Sequence, residues 1–280
     1  MRIADKNHKE ILERILTEGF RDENPRPRYA DWTPAHTLSV NHVVTRYDLS
    51  RGECPIITLR PIAWKSSVKE ILWIYRDMSN SLDTLENVHG IYWWRDWESK
   101  DMPGTIGTRY GATVKKHDLI RRLLKDIAEN PYGRRHIMSL WQESDFAESD
   151  GLMPCCYETI WNVRGKYLDM VMIQRSSDYC TAGCINELQY SALLMMVARH
   201  CGYEPGVFTH FSANVQIYDR HMDQAKELIR REPVECSPRL VLNTDKTDFF
   251  DFDIDDFVLE DYPLEEIKAK NPQLKFELGI

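Results

Sequence analysis

"YETIWNVRGKYLDMVMIQR", residues 157 to 175, consists of two β-branched and aromatic runs joined at Arg164-Gly165. It reads as a hairpin, because partial apolar–polar alternation suits a half-buried strand and glycine takes turn conformations other residues avoid. Soon after comes "ELQYSALLMMVARHC", residues 187 to 201, apolar nearly all round and so a helix buried at the centre of a fold. Other strand-like runs are "HTLSVNHVVTRYDL" (36–49), "RRHIMSLW" (134–141) and "GVFTHFSANVQIY" (206–218). "DFFDFDIDDF" (248–257) alternates apolar residues with aspartate and predicts a strand with one wet face. Helical spacing marks 5–16, 67–78, 116–129 and 219–231. Strands and helices are mixed without regular βαβ alternation, which predicts an α+β fold with a large mixed sheet packed by helices. No linker or repeat interrupts residues 1–280, so one domain is expected.

The composition narrows the function. A chain of 280 residues with 42% hydrophobic and 29% charged residues is ordinary globular protein. The net charge of -8 argues against bulk attraction to nucleic acid or an anionic membrane, while leaving room for a small anion held by clustered arginines. No apolar run reaches the roughly 18 residues a membrane helix needs, and the charged N-terminus "MRIADKNHKEILERIL" is no secretory signal. Seven cysteines, an odd number, argue against a disulfide framework and for a reducing cytoplasmic setting. Cys54, Cys201 and Cys236 are scattered singly, as small buried apolar residues are.

The remaining cysteines invite a chemical reading. Cys155 and Cys156 follow Pro154, and Cys180 and Cys184 form a C-x3-C. An adjacent pair is poor geometry for one tetrahedral ion, so no metal is expected. A nucleophilic cysteine instead needs nearby positive charge to favour its thiolate. Arg134-Arg135 in "YGRRHIM" and Arg175 in "QRSSD" lie at the edges of apolar strands, where an isolated charge is costly unless it binds something. Arginine beside serine suits phosphate. Glu70 stands in the apolar company of "KEILWIY", which favours a shifted proton affinity.

The chain resembles the folate-dependent thymidylate synthase family, in the branch typified by Bacillus enzymes. The resemblance rests on "LMPCCYETIWNV", "DMVMIQRSSDYCTAGCINELQYSALLMMVARHCGYEPGVF" and "NVQIYDRHMDQAKELI", and extends through "TPAHTLSVNHVVTRYDL", "LRPIAWKSSVKEILWIYRDMSN" and "NPYGRRHIMSLW". It implies that Cys155 attacks C6 of the pyrimidine of dUMP. It also implies that 5,10-methylenetetrahydrofolate, as co-substrate, donates a carbon unit and a hydride to give dTMP. Arg175, Ser176, Arg134, Arg135 and an arginine of "NPRPRYAD", Arg28 in preference to Arg26, would hold the phosphate. In this family the Arg-Arg pair comes from the other subunit, so a homodimer meeting through a sheet face is expected. Asn186 would read the uracil edge, an amide offering both donor and acceptor. Glu70 and Tyr110 would handle protons, and Tyr218 with Gln216 would meet the sugar. Trp94, Trp97, Asp178 and Ile280 match folate-contacting positions.

Departures from the family pattern are Cys156 and Gln216 where histidine is common, and Ala182-Gly183 near the base. They keep a pyrimidine nucleotide 5-hydroxymethylase on the same scaffold as the alternative. A non-catalytic binding paralogue should have lost Cys155 or the phosphate arginines, and a cysteine hydrolase should carry a companion histidine motif. Neither pattern is present.

Overall fold

The computed structural model describes residues 2–279. Its strands, in chain order, are β1 (Phe20–Arg21), β2 (Thr37–Asp48), β3 (Ile137–Ser139), β4 (Cys156–Arg164), β5 (Tyr167–Gln174), β6 (Ser177–Asp178), β7 (Glu204–Tyr218), β8 (Arg239–Leu242) and β9 (Phe257–Glu260). One large sheet runs in the order β1-β2-β7-β5-β4-β3, with β6 also alongside β7. The hairpin of β4 and β5 closes with Arg164 opposite Tyr167, and Gly165 takes the left-handed conformation at φ 61°. β5 and β6 run parallel to β7 while the other pairings are antiparallel, so the sheet is mixed and the α+β expectation holds.

One face of this sheet meets the helix Cys184–His200, whose Leu188, Leu193, Leu194, Met196 and Val197 are fully buried. That helix starts a turn earlier than its apolar run suggests, out of a wide π-type turn over Tyr179–Gly183. The helix Trp64–Ile71 packs across it and continues into a second wide turn, Leu72–Arg76. On the sheet side, Val43, Tyr47, Trp161, Met170, Met172 and Phe208 supply the opposing layer. Burial of apolar area at about 25 cal/mol per Å² makes this layer the main source of stability. The other face keeps Val44 and Ile137 more than half exposed.

Two expectations need correction. Residues 248–257 are not a strand but two tight 3-10 turns, Phe249–Asp251 and Ile254–Asp256, with only Phe257–Glu260 entering β9. The aspartates decide this: Asp248 accepts from the Phe250 N–H at 2.9 Å and Asp253 from the Ile254 N–H at 2.6 Å. Asp253 and Asp256 together form a capping box. Short acidic side chains that satisfy local N–H groups favour turns over ladders. Phe249 and Phe252, three apart, then both reach the core. The helix expected over 116–129 is divided into Gly111–Lys116 and Leu119–Glu129 at Asp118, whose φ is 52°.

Leu193→Ala, at the middle of the buried layer, should lower the unfolding free energy by about 2–5 kcal/mol through lost transfer energy and a residual cavity. Urea denaturation should show a lower midpoint with an unchanged slope.

Candidate active site

The strand that carries β5 into β6 breaks at Arg175 and Ser176 while its register against β7 resumes unchanged, Gln174 facing Ser212 and Ser177 facing Val215. On the β4 side the Arg175 N–H donates to the Cys155 carbonyl at 2.9 Å, which carries the antiparallel β4–β5 pairing one step past Cys156 and Gln174. The Arg175 guanidinium then folds back, donating from Nε to the Pro154 carbonyl at 3.0 Å and from Nη2 to the Met153 carbonyl at 2.8 Å. Its Nη2 lies 3.7 Å from Cys155 Sγ. On the other side the Cys155 N–H donates to the Tyr110 hydroxyl at 3.1 Å. Cys155 is thus held at both backbone groups, just before β4, with its thiol beside one arginine. Cys156 turns the other way into the core and is buried.

Tyr110 has a strained backbone, φ 48° and ψ -109°. Gly111 after it touches the Ser79 backbone so closely that any Cβ would lie 2.0 Å from the Ser79 carbonyl oxygen. Non-glycine residues pay of order 1–3 kcal/mol for such conformations, which persist where the surroundings over-determine them. Here the buried Tyr110 ring is gripped by Trp94, centroids 5.1 Å apart and nearly perpendicular.

Glu70, from the helix Trp64–Ile71, is buried below this group. It accepts from Trp93 Nε1 at 2.7 Å and Trp94 Nε1 at 3.1 Å. Burial raises its pKa from the ordinary carboxylate value to about 7, against the opposing effect of donors on Trp94, Trp93 and Gln189. A group poised there can both give and take a proton near neutral pH.

Burial likewise pushes the Cys155 thiol up, with the Arg175 charge pulling the other way. The lowering expected from the arginine field is therefore outweighed within one chain. Cys156 is raised further, by burial and by the neighbouring Cys155 and Glu70.

Asn186 stands on the first turn of the central helix, accepting from Gln174 Nε2 at 3.1 Å and donating to Gln189 Oε1 at 2.9 Å. Gln216 and Tyr218 share a face at the end of β7. Gln216 Nε2 donates to Ser176 Oγ at 3.1 Å, and Tyr218 donates to the Gly279 carbonyl at 3.2 Å. Asp178 accepts from Thr181 Oγ1 at 2.5 Å, and burial raises its pKa. Its Oδ1 is buried with no hydrogen-bond partner among the described residues, as is Nδ1 of His221 4.0 Å away. Such orphaned polar atoms fit a bound heterocycle that supplies their partners. Trp97, half-buried, meets the buried Trp94 edge to face at 5.7 Å, so the aromatic wall is present as well. Ile280 lies outside the described residues.

Arg28 is exposed in a one-residue bridge with Pro34, whereas the charge that opposes the upward push on the Tyr218 phenol is that of Arg26. The loop bearing both is strapped to β7 by Arg220, which stacks on Tyr29 at 3.9 Å and donates to Asp31 at 2.7 Å and Thr33 at 2.8 Å. Arg134 and Arg135 are exposed ahead of β3 and have no ion-pair partner among the described residues. Trp93 and Gln189, which complete the surroundings of Glu70, were missed in the sequence. Trp93 stands in an aromatic run, and Gln189 follows Asn186 by three residues, one helical turn. Among the described residues no group of three His, Cys, Asp or Glu could hold a metal ion. No described helix is long and apolar enough to cross a membrane.

A thiol beside arginine, a carboxylate poised near neutrality and a half-buried amide, gathered where a mixed sheet breaks, are the parts of an enzyme site in an α+β fold. Comparison narrows this to one family. A family model for thymidylate synthase matches residues 6–272. A thymidylate synthase of Streptococcus pneumoniae (strain 70585) is 52% identical over 282 residues, covering 99% of both chains. One of Streptococcus gordonii is 50% identical at the same coverage. The solved structure of thermostable thymidylate synthase A from Bacillus subtilis matches with a TM-score of 0.89 at 35% identity, over 100% of both chains. The chain belongs to the thymidylate synthase family and is an enzyme of the methyltransferase type. The hydroxymethylase alternative is not favoured by these full-length matches.

The raised pKa of Glu70 sets a pH dependence of stability. Between about 4.5 and about 7 the folded protein holds a proton that the unfolded chain has released, so stability falls as pH rises across that window. Glu70→Gln should therefore be more stable than the parent at pH 8, by up to roughly 3 kcal/mol, and no more stable near pH 4. Denaturant midpoints at the two pH values check this.

Proposed function

We propose that the chain converts dUMP to dTMP with 5,10-methylenetetrahydrofolate, and that Cys155 is the nucleophile. The observation that carries the assignment is the fixing of Cys155 between the Tyr110 hydroxyl and the Arg175 N–H, with the Arg175 guanidinium 3.7 Å from Sγ. The thiolate adds to C6 of the pyrimidine, making C5 nucleophilic, and later leaves as C5 and C6 become a double bond again. Asn186 meets the O4 and N3–H edge, and Glu70 and Tyr110 exchange protons near the base. Burial keeps the Tyr110 phenol protonated at neutral pH, so it acts as a hydrogen-bond donor until a base relieves it. The folate co-substrate supplies the one-carbon unit and the hydride. Asp178, with its orphaned Oδ1, would hold the heterocycle, and Trp94 and Trp97 would wall it off from water.

For the phosphate we favour Arg175, Ser176 and Arg26, with Arg134 and Arg135 supplied by a second copy. Their exposure and lack of an ion-pair partner among the described residues support that sharing. The half-exposed sheet face carrying Val44 and Ile137 is the surface we assign to the dimer. The main core cluster, running from Ala4 to Phe257 with one small satellite at Tyr29, Ala35 and Tyr218, supports one catalytic domain over residues 1–280. The free state of all seven cysteines supports a cytoplasmic location.

Incubation with dUMP and methylenetetrahydrofolate should release dihydrofolate, followed by its absorbance, with dTMP as the identified nucleotide. 5-Hydroxymethyl-dUMP as product would overturn the synthase reading. Cys155→Ser should abolish turnover yet still bind dUMP, while Cys156→Ala stays nearly as active as the parent. Mixing Cys155→Ser with Arg135→Ala should restore part of the activity, and no rescue would count against sharing between subunits. Arg26→Ala should weaken dUMP binding by roughly tenfold or more, the size expected on losing a charge-assisted hydrogen bond, whereas Arg28→Ala should bind nearly as the parent does.

A further inference from the structure

Three amides, Gln174, Asn186 and Gln189, form a hydrogen-bonded chain that starts at the Ser176 carbonyl and ends beside the Glu70 carboxylate, and its polarity can be derived. The Ser176 carbonyl can only accept, so the Gln174 end that meets it at 2.9 Å must be Nε2. The same nitrogen faces Asn186 at 3.1 Å, which therefore presents Oδ1. That leaves Asn186 Nδ2 to donate to Gln189, at 2.9 Å, which therefore presents Oε1. The remaining Gln189 nitrogen is the end left for the Glu70 carboxylate, where a Gln189 donor favours the ionised form. The backbone carbonyl at one end thus fixes every amide in turn, and the polarity it imposes aims the free Gln189 nitrogen at a carboxylate that can accept from it. Amide orientation is otherwise free to flip, since its two ends are nearly equal in shape.

We propose that Gln189 is a positioning residue that locks the Asn186 amide in the orientation that reads uracil and ties that orientation to the Glu70 carboxylate. The proposal rests on the reading of Asn186 as the uracil contact. Asn186 and Gln189 lie one turn apart on the central helix, so their side chains are neighbours by construction. Each atom of the Asn186 amide spends one valence inside the chain and keeps one for the base: a second hydrogen on Nδ2, a second lone pair on Oδ1. A flipped Asn186 would set Nδ2 against Gln174 Nε2, two donors facing each other, and Oδ1 against Gln189 Oε1, two acceptors facing each other. Cytosine, which offers a donor at position 4 and an acceptor at N3, would need that flipped form. Gln189 is buried, so water cannot replace the hydrogen bond it supplies. The other titratable groups facing Glu70 are Tyr110 and Cys156, both held neutral through burial, so Gln189 is the uncharged donor that bridges the two tasks.

Two variants separate the two ends. Gln189→Met removes both interactions at similar volume, and Gln189→Glu keeps an acceptor for Asn186 Nδ2 while setting a carboxylate beside Glu70. Binding of dUMP and dCMP would be measured by calorimetry without folate, and turnover of dUMP across pH. For Gln189→Met the preference for dUMP over dCMP should fall about tenfold, the size of one lost buried hydrogen bond. For Gln189→Glu the preference should be retained within about twofold, while the midpoint of the pH profile moves up by about one unit, as a like charge requires. Unchanged preference in Gln189→Met, or an unmoved pH midpoint in Gln189→Glu, overturns the proposal, and the second result decides if Gln189→Met does not fold. Asn186→Asp serves as the reference. If it too leaves the preference unchanged, the reading of Asn186 falls together with the proposal. If it shifts the preference and Gln189→Met does not, only the role of Gln189 falls.

Discussion

The site depends on a two-residue gap in a ladder. β7 is paired along one side by β2 and along the other by β5 and then β6, in one register, with Arg175 and Ser176 standing out of the pairing. Backbone groups released from a sheet must find other partners. The Ser176 carbonyl finds the Gln174 amide, while the Arg175 N–H stays paired on the β4 side with the Cys155 carbonyl and its guanidinium reaches two further carbonyls. The arginine and the amides of Gln174 and Asn186 therefore gather around one interruption, beside a cysteine held by the β4–β5 pairing.

Burial then sets the chemistry. The same apolar layer that stabilises the fold raises Glu70 to about 7 and holds Tyr110 protonated. Trp94 serves both purposes, since its ring grips Tyr110 and its N–H steadies the Glu70 carboxylate. A carboxylate with only apolar neighbours would be neutral at neutral pH, and one in water would be fully ionised. Two indole donors and one amide leave Glu70 between those limits.

Much of this was legible in the sequence, for identifiable reasons. The 157–175 hairpin and the all-round apolar 187–201 run are strong periodic signals, and both appear nearly as read. The 248–257 run misled because alternation alone does not distinguish a strand from successive aspartate-capped turns, and the caps at Asp248 and Asp253 settle it in favour of turns. Motif matching pointed to Cys155, Glu70, Tyr110, Asn186 and Arg175, and the fold brings these into one neighbourhood. It did not separate Arg26 from Arg28, because two arginines one proline apart look alike in sequence; in the fold it is the Arg26 charge that acts on the Tyr218 phenol. The partners of Glu70 were hidden for a different reason. Trp93 and Gln189 come from a loop and a helix about a hundred residues apart in sequence, and no local pattern links them.

The paired cysteines show how far one chain can prepare its own chemistry. They are adjacent, yet strand alternation sends Cys156 into the core and leaves Cys155 at the arginine. Burial still keeps the Cys155 thiol protonated, because Arg175 is its one charged counterweight and spends its donors on the Met153 and Pro154 carbonyls. A thiolate stable only after more positive charge arrives suits a cleft completed by a second subunit. Arg134 and Arg135, exposed ahead of β3, are positive charges that the fold leaves without an ion-pair partner among the described residues.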